Sequence, residues 1–321
     1  MVHSGVTPDV TFKELFDVQG QAGYPGLSGT GIAVQGDGVH ERVTLVKALC
    51  ADVRAKGGDV LLVDTCDQYR LFCEKNGGRR LSLHAVSFTL TPDRLENPFD
   101  RYRPPVAYGR LPVGDVTQGD LLHVSIGEFD SVFPERRTEA IATLLQAIEI
   151  TLMSSQLPKV TFCVLDDGLL YHISSDDALR SKLTALLGQA RKFGVNFVLE
   201  TDTALPFEPG HDACDRLLVG CCDRSLDRLS DVSESDRLFL SQPHRDGVLP
   251  VVRGLRGQSG QRFHVHISPH ERVSLIDYAG DMAFMDELQD AGLTRIAALH
   301  ELARYRWQSD NHASGEAQET L

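Results

Sequence analysis

Apolar residues in this chain follow two recurring patterns: short uninterrupted runs, and longer stretches in which they return every three or four positions. The first run, Gly31 to Gln35, predicts a buried strand. The turn Gly36-Asp37-Gly38 follows, then an amphipathic stretch from Val43 to Lys56 closed by Gly57-Gly58. Asp59 to Asp64 is the next strand, and strand, helix and strand at this spacing form a βαβ unit, which requires parallel pairing. Leu121 to Ile126 predicts a further strand, and Thr138 to Met153 a helix with apolar residues at 141, 144, 145, 148 and 152. Beyond Pro158 the alternation is clearest: strand Val160 to Leu165, helix Asp176 to Phe193, strand Val195 to Glu200, strand Leu217 to Gly220 and a short helix from Ser233 to Leu240. Val248 to Arg253 and Arg262 to Ile267 alternate apolar with polar, as antiparallel or edge strands do. Asp281 to Trp307 is expected to be helical with a break near Gly292.

The pattern predicts an α/β fold: a mostly parallel sheet with helices on both faces, antiparallel additions late in the chain and a C-terminal helical segment. Residues 1–30, rich in Gly, Ser and Pro around Tyr24-Pro25-Gly26, are expected to be an irregular lead-in to an α/β domain over 31–272. A helical extension over 273–307 and a polar, disordered tail over 308–321 complete the expected division. Between Leu81 and Gly119, prolines at 92, 98, 104, 105 and 112 exclude helix interiors and central strands, so a long loop with short edge strands is expected there.

Composition narrows the function. The 321 residues suffice for a full core without disulfide staples, and the seven cysteines, odd in number and without a CxxC pair, suit reduced thiols in a cytoplasmic protein. They are expected to behave as small buried hydrophobes. The amino terminus has neither a basic nor an apolar leader region, and no run approaches the roughly 18 apolar residues of a membrane span, so direct membrane insertion is not expected. A net charge of −13 disfavours a grip on nucleic acid, which needs clustered Lys and Arg.

Chemistry is expected where strands of a parallel sheet end. A working phosphate-binding loop needs GxxxxGK[ST] between a strand and a helix, so that backbone N–H groups and a lysine meet the phosphates and a hydroxyl meets Mg²⁺. Counting from Gly36, the second glycine falls on Glu41, the lysine on Arg42 and the hydroxyl on Val43, with Thr44 one position late. Gly36, Gly38, Arg42 and Thr44 are the residues left to touch a nucleotide, while a carboxylate at Glu41 would repel it by roughly 4 kcal/mol at about 4 Å. Val160 to Asp167 (VTFCVLDD) has the form of a Walker B strand. Asp166 would support Mg²⁺, and Asp167, shorter than the usual Glu, would orient water. Asp202, at the end of the next strand, stands where a neutral amide would sense the γ-phosphate. Together Asp166, Asp167, Asp202 and Glu41 predict an anionic cleft. Arg191 has two readings, a cation at a helix end or a contact to a neighbouring subunit's site. His264 and His266 share a strand face without an evident third metal ligand, and His211 with Cys214 declares no nucleophile arrangement.

The order and wording of these pieces resemble the carboxyl-terminal ATPase domain of conjugative-transfer and type IV secretion ATPases of the TraC kind, within the FtsK/HerA P-loop superfamily. The likeness runs from about Gly31 to Ala303, through TLVKALCADVRAKGGDVLLVDTCDQYRLFCEKNGG, Asn97-Pro98-Phe99, KVTFCVLDD, LLGQARKFGVNFVLETDT, HVHISPHE and AGLTRIAALHELA. The resemblance implies a P-loop NTPase-like fold and ATP with Mg²⁺ as cofactors. It also implies oligomers, hexameric in the family, working with subunits of a secretion or conjugation apparatus peripheral to the inner membrane. By the same resemblance Asp166 is the Walker B aspartate, Asp167 matches the catalytic Glu, Asp202 the sensor Gln, and Arg191 an arginine near the subunit interface. The Walker A match fails at Glu41, Arg42 and Val43, the large amino-terminal half of relatives is missing, and the loop after Phe99 is short for their helical insertion. Two readings follow: a degenerate relative with weak or absent nucleotide binding, serving as a scaffold or regulatory subunit, or an atypical ATPase completed by a partner's Lys or Arg.

Overall fold

The computed structural model describes residues 7–17, 31–36, 38–83, 90–92, 119–126, 136–152, 161–202, 214–220, 232–242, 247–254, 260–268, 271, 274–275, 277, 280–294 and, within 297–305, all but 299 and 303. Its strands are β1 (Asp9–Thr11), β2 (Gly31–Gln35), β3 (Asp59–Asp64), β4 (Arg79–Leu83), β5 (Leu90–Pro92), β6 (Leu121–Ser125), β7 (Thr161–Leu165), β8 (Val195–Thr201), β9 (Cys214–Val219), β10 (Val248–Gly254) and β11 (Gln261–His266). All join one sheet in the order β1-β11-β10-β9-β2-β8-β7-β3-β6-β4-β5. From β9 to β4 every pairing is parallel. β10 runs antiparallel to both β9 and β11, β5 runs antiparallel to β4, and β1 is parallel to β11.

Helices cover both faces, which is why the central strands are apolar at every position instead of alternating. On one face α4 (Arg137–Leu152), α5 (Asp167–Ser174) and α6 (Asp177–Ala190) bury Leu61, Val63, Cys163, Leu165, Phe197 and Leu199. On the other, α1 (Phe12–Asp17), α2 (Val39–Ala55) and α3 (Arg70–Lys75) bury Val60, Leu62, Phe162, Val164 and Val198. Successive residues of one strand thus enter different cores, as the two-residue strand period requires. α7 (Glu234–Leu240) covers Leu218 and Val252, and α8 (Asp281–Asp290) packs Met285 against Leu71 of α3 together with Ala298 and Leu302. The ends of α8 agree with the expected break: Gly292 has φ 92°, the left-handed geometry that closes helices.

Four expectations change. The lead-in is not wholly irregular, because β1 and α1 lie within it and β1 extends the sheet beside β11. α2 begins at Val39 rather than Val43, so Glu41, Arg42 and Thr44 are helical. No side chain caps its start, and the first residue is an exposed apolar one, so the usual start signal was missing. α5 was not foreseen, although DGLLYHIS places Leu169, Leu170 and Ile173 at helical spacing. β4 lies between β6 and β5, inside the sheet and not at its edge. The rest of the proline-rich segment, the Asn97-Pro98-Phe99 triplet, His211 and the 308–321 tail lie outside the described residues. Among the described residues no helix is long and apolar enough to cross a membrane. Cys50, Cys73 and Cys163 are buried, as expected, but Cys66 is exposed.

Candidate functional site

Strand order places β8 between β2 and β7, so the residues ending these three strands meet at one edge. β2 also pairs β9 on its other side, which puts the Gly36 turn where the crossovers diverge, the position at which open α/β sheets bind ligands.

At this edge the glycines are sewn into the sheet. Gly36 N–H donates to the Thr201 carbonyl (3.3 Å) and Gly38 N–H to the Gly220 carbonyl (3.2 Å), ending β2 against β8 and β9. A Cβ at Gly36 would stand 1.8 Å from the Val219 carbonyl oxygen, so close backbone approach requires glycine there. The Glu41 side chain fills the space beside two glycines: a Cβ at Gly38 would lie 2.0 Å from its Oε2, and one at Gly220 2.9 Å from its Cγ. Two amides that a phosphate would need therefore already hold backbone carbonyls, and a carboxylate packs beside them.

Arg42 occupies the cleft. Its side chain is buried, its Nη1 donates to the Gly36 carbonyl, its Nε donates to Glu200 Oε1 (3.3 Å) and its Nη2 stands 3.6 Å from Asp167 Oδ2. Glu200, fully buried near the end of β8, also accepts from Gln68 Nε2 (2.9 Å) and from the Tyr69 hydroxyl. Burial pushes the Glu200 carboxyl up, against the pull of Tyr69 and Arg42, and the same burial together with Glu200 pushes the Tyr69 hydroxyl well above its ordinary value. The result is a closed set of charge-assisted bonds.

Asp166 is a helix cap. Oδ1 accepts from Leu169 N–H (2.9 Å) at the start of α5, and Oδ2 from Thr65 N–H (2.8 Å) and Thr65 Oγ1 (2.7 Å). Burial first, and the nearby Asp64 second, raise its carboxyl to about 7 despite these donors. Asp167 is half-buried, and its Oδ1 accepts from Asp202 N–H (3.3 Å). Thus Asp166, Asp167 and Asp202 do converge with the Gly36 turn, but the expected anionic cleft contains a guanidinium at its centre. Thr44 is buried in α2. Arg191 is not brought to this site: it lies in a 3-10 turn over Arg191–Phe193 that precedes β8, at the opposite end of that seven-residue strand, about 20 Å away at 3.3 Å per residue. His264 and His266 do face a third group, Asp9 Oδ1, at 3.6 and 3.2 Å, while His264 stacks on Phe239.

Glu200, Tyr69 and Gln68 were missed. A charged residue inside the apolar strand VNFVLET was the available signal, since an interior carboxylate demands a partner.

The sheet order and this strand-turn-helix edge define an α/β fold of the P-loop NTPase-like kind. No protein family profile matches the chain, and no curated protein matches it. Among solved structures it is similar to VirB4 of Thermoanaerobacter pseudethanolicus, at 11% identity over 76% of this chain and 91% of that one, with a TM-score of 0.54. It is also similar to the bacterial conjugative coupling protein TrwBΔN70, at 12% identity over 82% and 93% of the two chains, with a TM-score of 0.51. The genome packaging NTPase B204 of Sulfolobus turreted icosahedral virus 2, solved with AMPPCP, superposes more loosely, with 13% identity, 74% and 99% coverage and a TM-score of 0.44. At these identities the likeness is one of fold, and the resemblance read from the sequence holds at that level.

Proposed function

We propose that this chain is a degenerate relative of the secretion and conjugation ATPases that serves its apparatus as a scaffold or regulatory subunit, on the cytoplasmic side and held there by its partners. The observation that carries the reading is Arg42. It replaces the phosphate-bridging lysine, and its guanidinium is committed to Gly36, Glu200 and Asp167 inside the cleft. A triphosphate would have to displace that guanidinium from a buried carboxylate, pass Glu41 and release two glycine amides from backbone carbonyls. Asp166, the carboxylate on which the family's ATP–Mg²⁺ chemistry would rest, is engaged in capping α5 and in accepting two hydrogen bonds from Thr65.

The test is thermal unfolding of the full chain with increasing ATP and Mg²⁺. A ligand at 100 times its Kd stabilises the folded state by about 2.7 kcal/mol. A melting temperature unchanged at millimolar nucleotide is expected. A saturable rise would return the chain to the atypical ATPases, with Asp167, partly open to solvent, as the group a partner's Lys or Arg would address.

A further inference from the structure

We propose that Asp64, Asp67 and His123 form a binding site for a divalent first-row transition ion of the zinc type, at the carboxyl edge of β3 and β6 and separate from the Gly36 turn. One ligand atom from each of the three lies within 4.8 Å of the others. Asp64 ends β3, Asp67 lies in the turn that follows, and His123 stands on β6 beside Leu62.

Proximity alone would not carry the assignment. The second observation is His123 Nε2. The ring is fully buried, this nitrogen has no hydrogen-bond partner among the described residues, and yet Asp64 Oδ2 stands only 3.0 Å from it. A nitrogen and an oxygen at that separation, out of line for a hydrogen bond, are a few tenths of an ångström from the spacing of two ligands on one ion: bonds of about 2.0–2.2 Å to a tetrahedral zinc put neighbouring ligand atoms about 3.3–3.6 Å apart.

Charge points the same way. Asp64 is fully buried, and no arginine or lysine pairs with it among the described residues. Its oxygens are held instead by the N–H groups of Asp67 (3.1 Å) and Tyr69 (3.0 Å), the kind of orienting bonds that fix metal-binding carboxylates. Arg80, the cation closest to the trio, is engaged by Glu74 at 3.1 Å and stands 3.5 Å from Asp67. Asp67 is 42% exposed, so an ion has a route in and a coordination position is left toward solvent. Asp67 also holds φ 57°, an uncommon left-handed geometry that turns the chain back toward Asp64.

Ligation requires one local change. Arg80 Nε donates to His123 Nδ1 at 3.2 Å, so a metal on Nε2 moves the ring proton to Nδ1, and Arg80 gives up this bond while keeping Glu74. One long bond to nitrogen is exchanged for coordination by an imidazole and two carboxylates, the mixed donor set that suits zinc better than magnesium.

The full chain, stripped of metal, is titrated with zinc chloride alone by calorimetry and then with magnesium chloride. Asp67→Asn, which tolerates the left-handed geometry and leaves the buried residues intact, is expected to weaken one zinc equivalent at least tenfold, and His123→Gln to abolish it. Cys66→Ser, at an exposed thiol of the same turn, is expected to leave it unchanged. Absence of saturable zinc binding, binding indifferent to both site variants, equal affinity for magnesium, or loss on Cys66→Ser would each overturn the proposal.

Discussion

Two polar clusters lie at the same edge of the sheet, one around Glu200 on β8 and one around Asp64 on β3, with β7 between them. Each is built on a fully buried carboxylate that ends or nearly ends a strand. The Glu200 cluster is closed: a guanidinium, a hydroxyl and an amide, all from this chain, meet the carboxylate. Its neighbour is less complete: Arg80 bonds to His123 and stands 3.5 Å from Asp67, but Asp64 itself meets backbone N–H groups and an imidazole and, among the described residues, no arginine or lysine. The difference teaches that sheet-edge position alone does not make a ligand site. Whether the polypeptide brings a cation to the buried carboxylate itself does.

Breaking the closed cluster should have the largest effect. Arg42→Met leaves Glu200 buried without its cation and is expected to cost about 3–5 kcal/mol. Urea unfolding reads the loss, and adding Glu200→Gln should recover a substantial part of it; a double variant as unstable as the single one would show that the pair is not coupled. Next in size is a pH effect at Asp166, which follows β7, the strand between the two clusters. Its carboxyl ionises at about 7 in the fold, against about 3.9 in an unfolded chain. The stabilisation from this group is complete below the lower value and is lost as pH rises through the upper one. The urea midpoint should therefore fall between about pH 4 and pH 7 and level off above, and Asp166→Asn should flatten that decline. An equal slope in both proteins would place the titration elsewhere.

Tyr69→Phe removes one donor from Glu200 and is expected to cost about 1–3 kcal/mol, measured by the same unfolding. The smallest change belongs to the cluster around Asp64. Without metal, Asp67→Asn should stay within about 0.5 kcal/mol of the parent, so that the two carboxylate clusters separate by energy as they do by structure.

Much of the fold was legible because the apolar runs are uninterrupted, and only a strand covered on both faces needs that. β2, β3, β6, β7 and β8 are each predicted within a residue or two. α5 escaped because an eight-residue helix pressed directly against a strand leaves no turn signal between them, and Asp166, which marks its start, has the same appearance as a catalytic acid. The Gly36 turn was legible as a position. Its chemical state was not, because Arg42 bonds to Glu200, which is 158 residues away in the chain.

By itself the sequence determined a parallel α/β sheet and the replacement of the phosphate-binding lysine and hydroxyl by Arg42 and Val43. Those conclusions rest on local period and local spacing, which a linear chain displays directly. Only the tertiary structure decided that the arginine turns inward, that Asp166 caps a helix and that His123 stands beside Asp64. Strand order brings these groups together, and strand order depends on packing between residues far apart in the chain, which local period does not record.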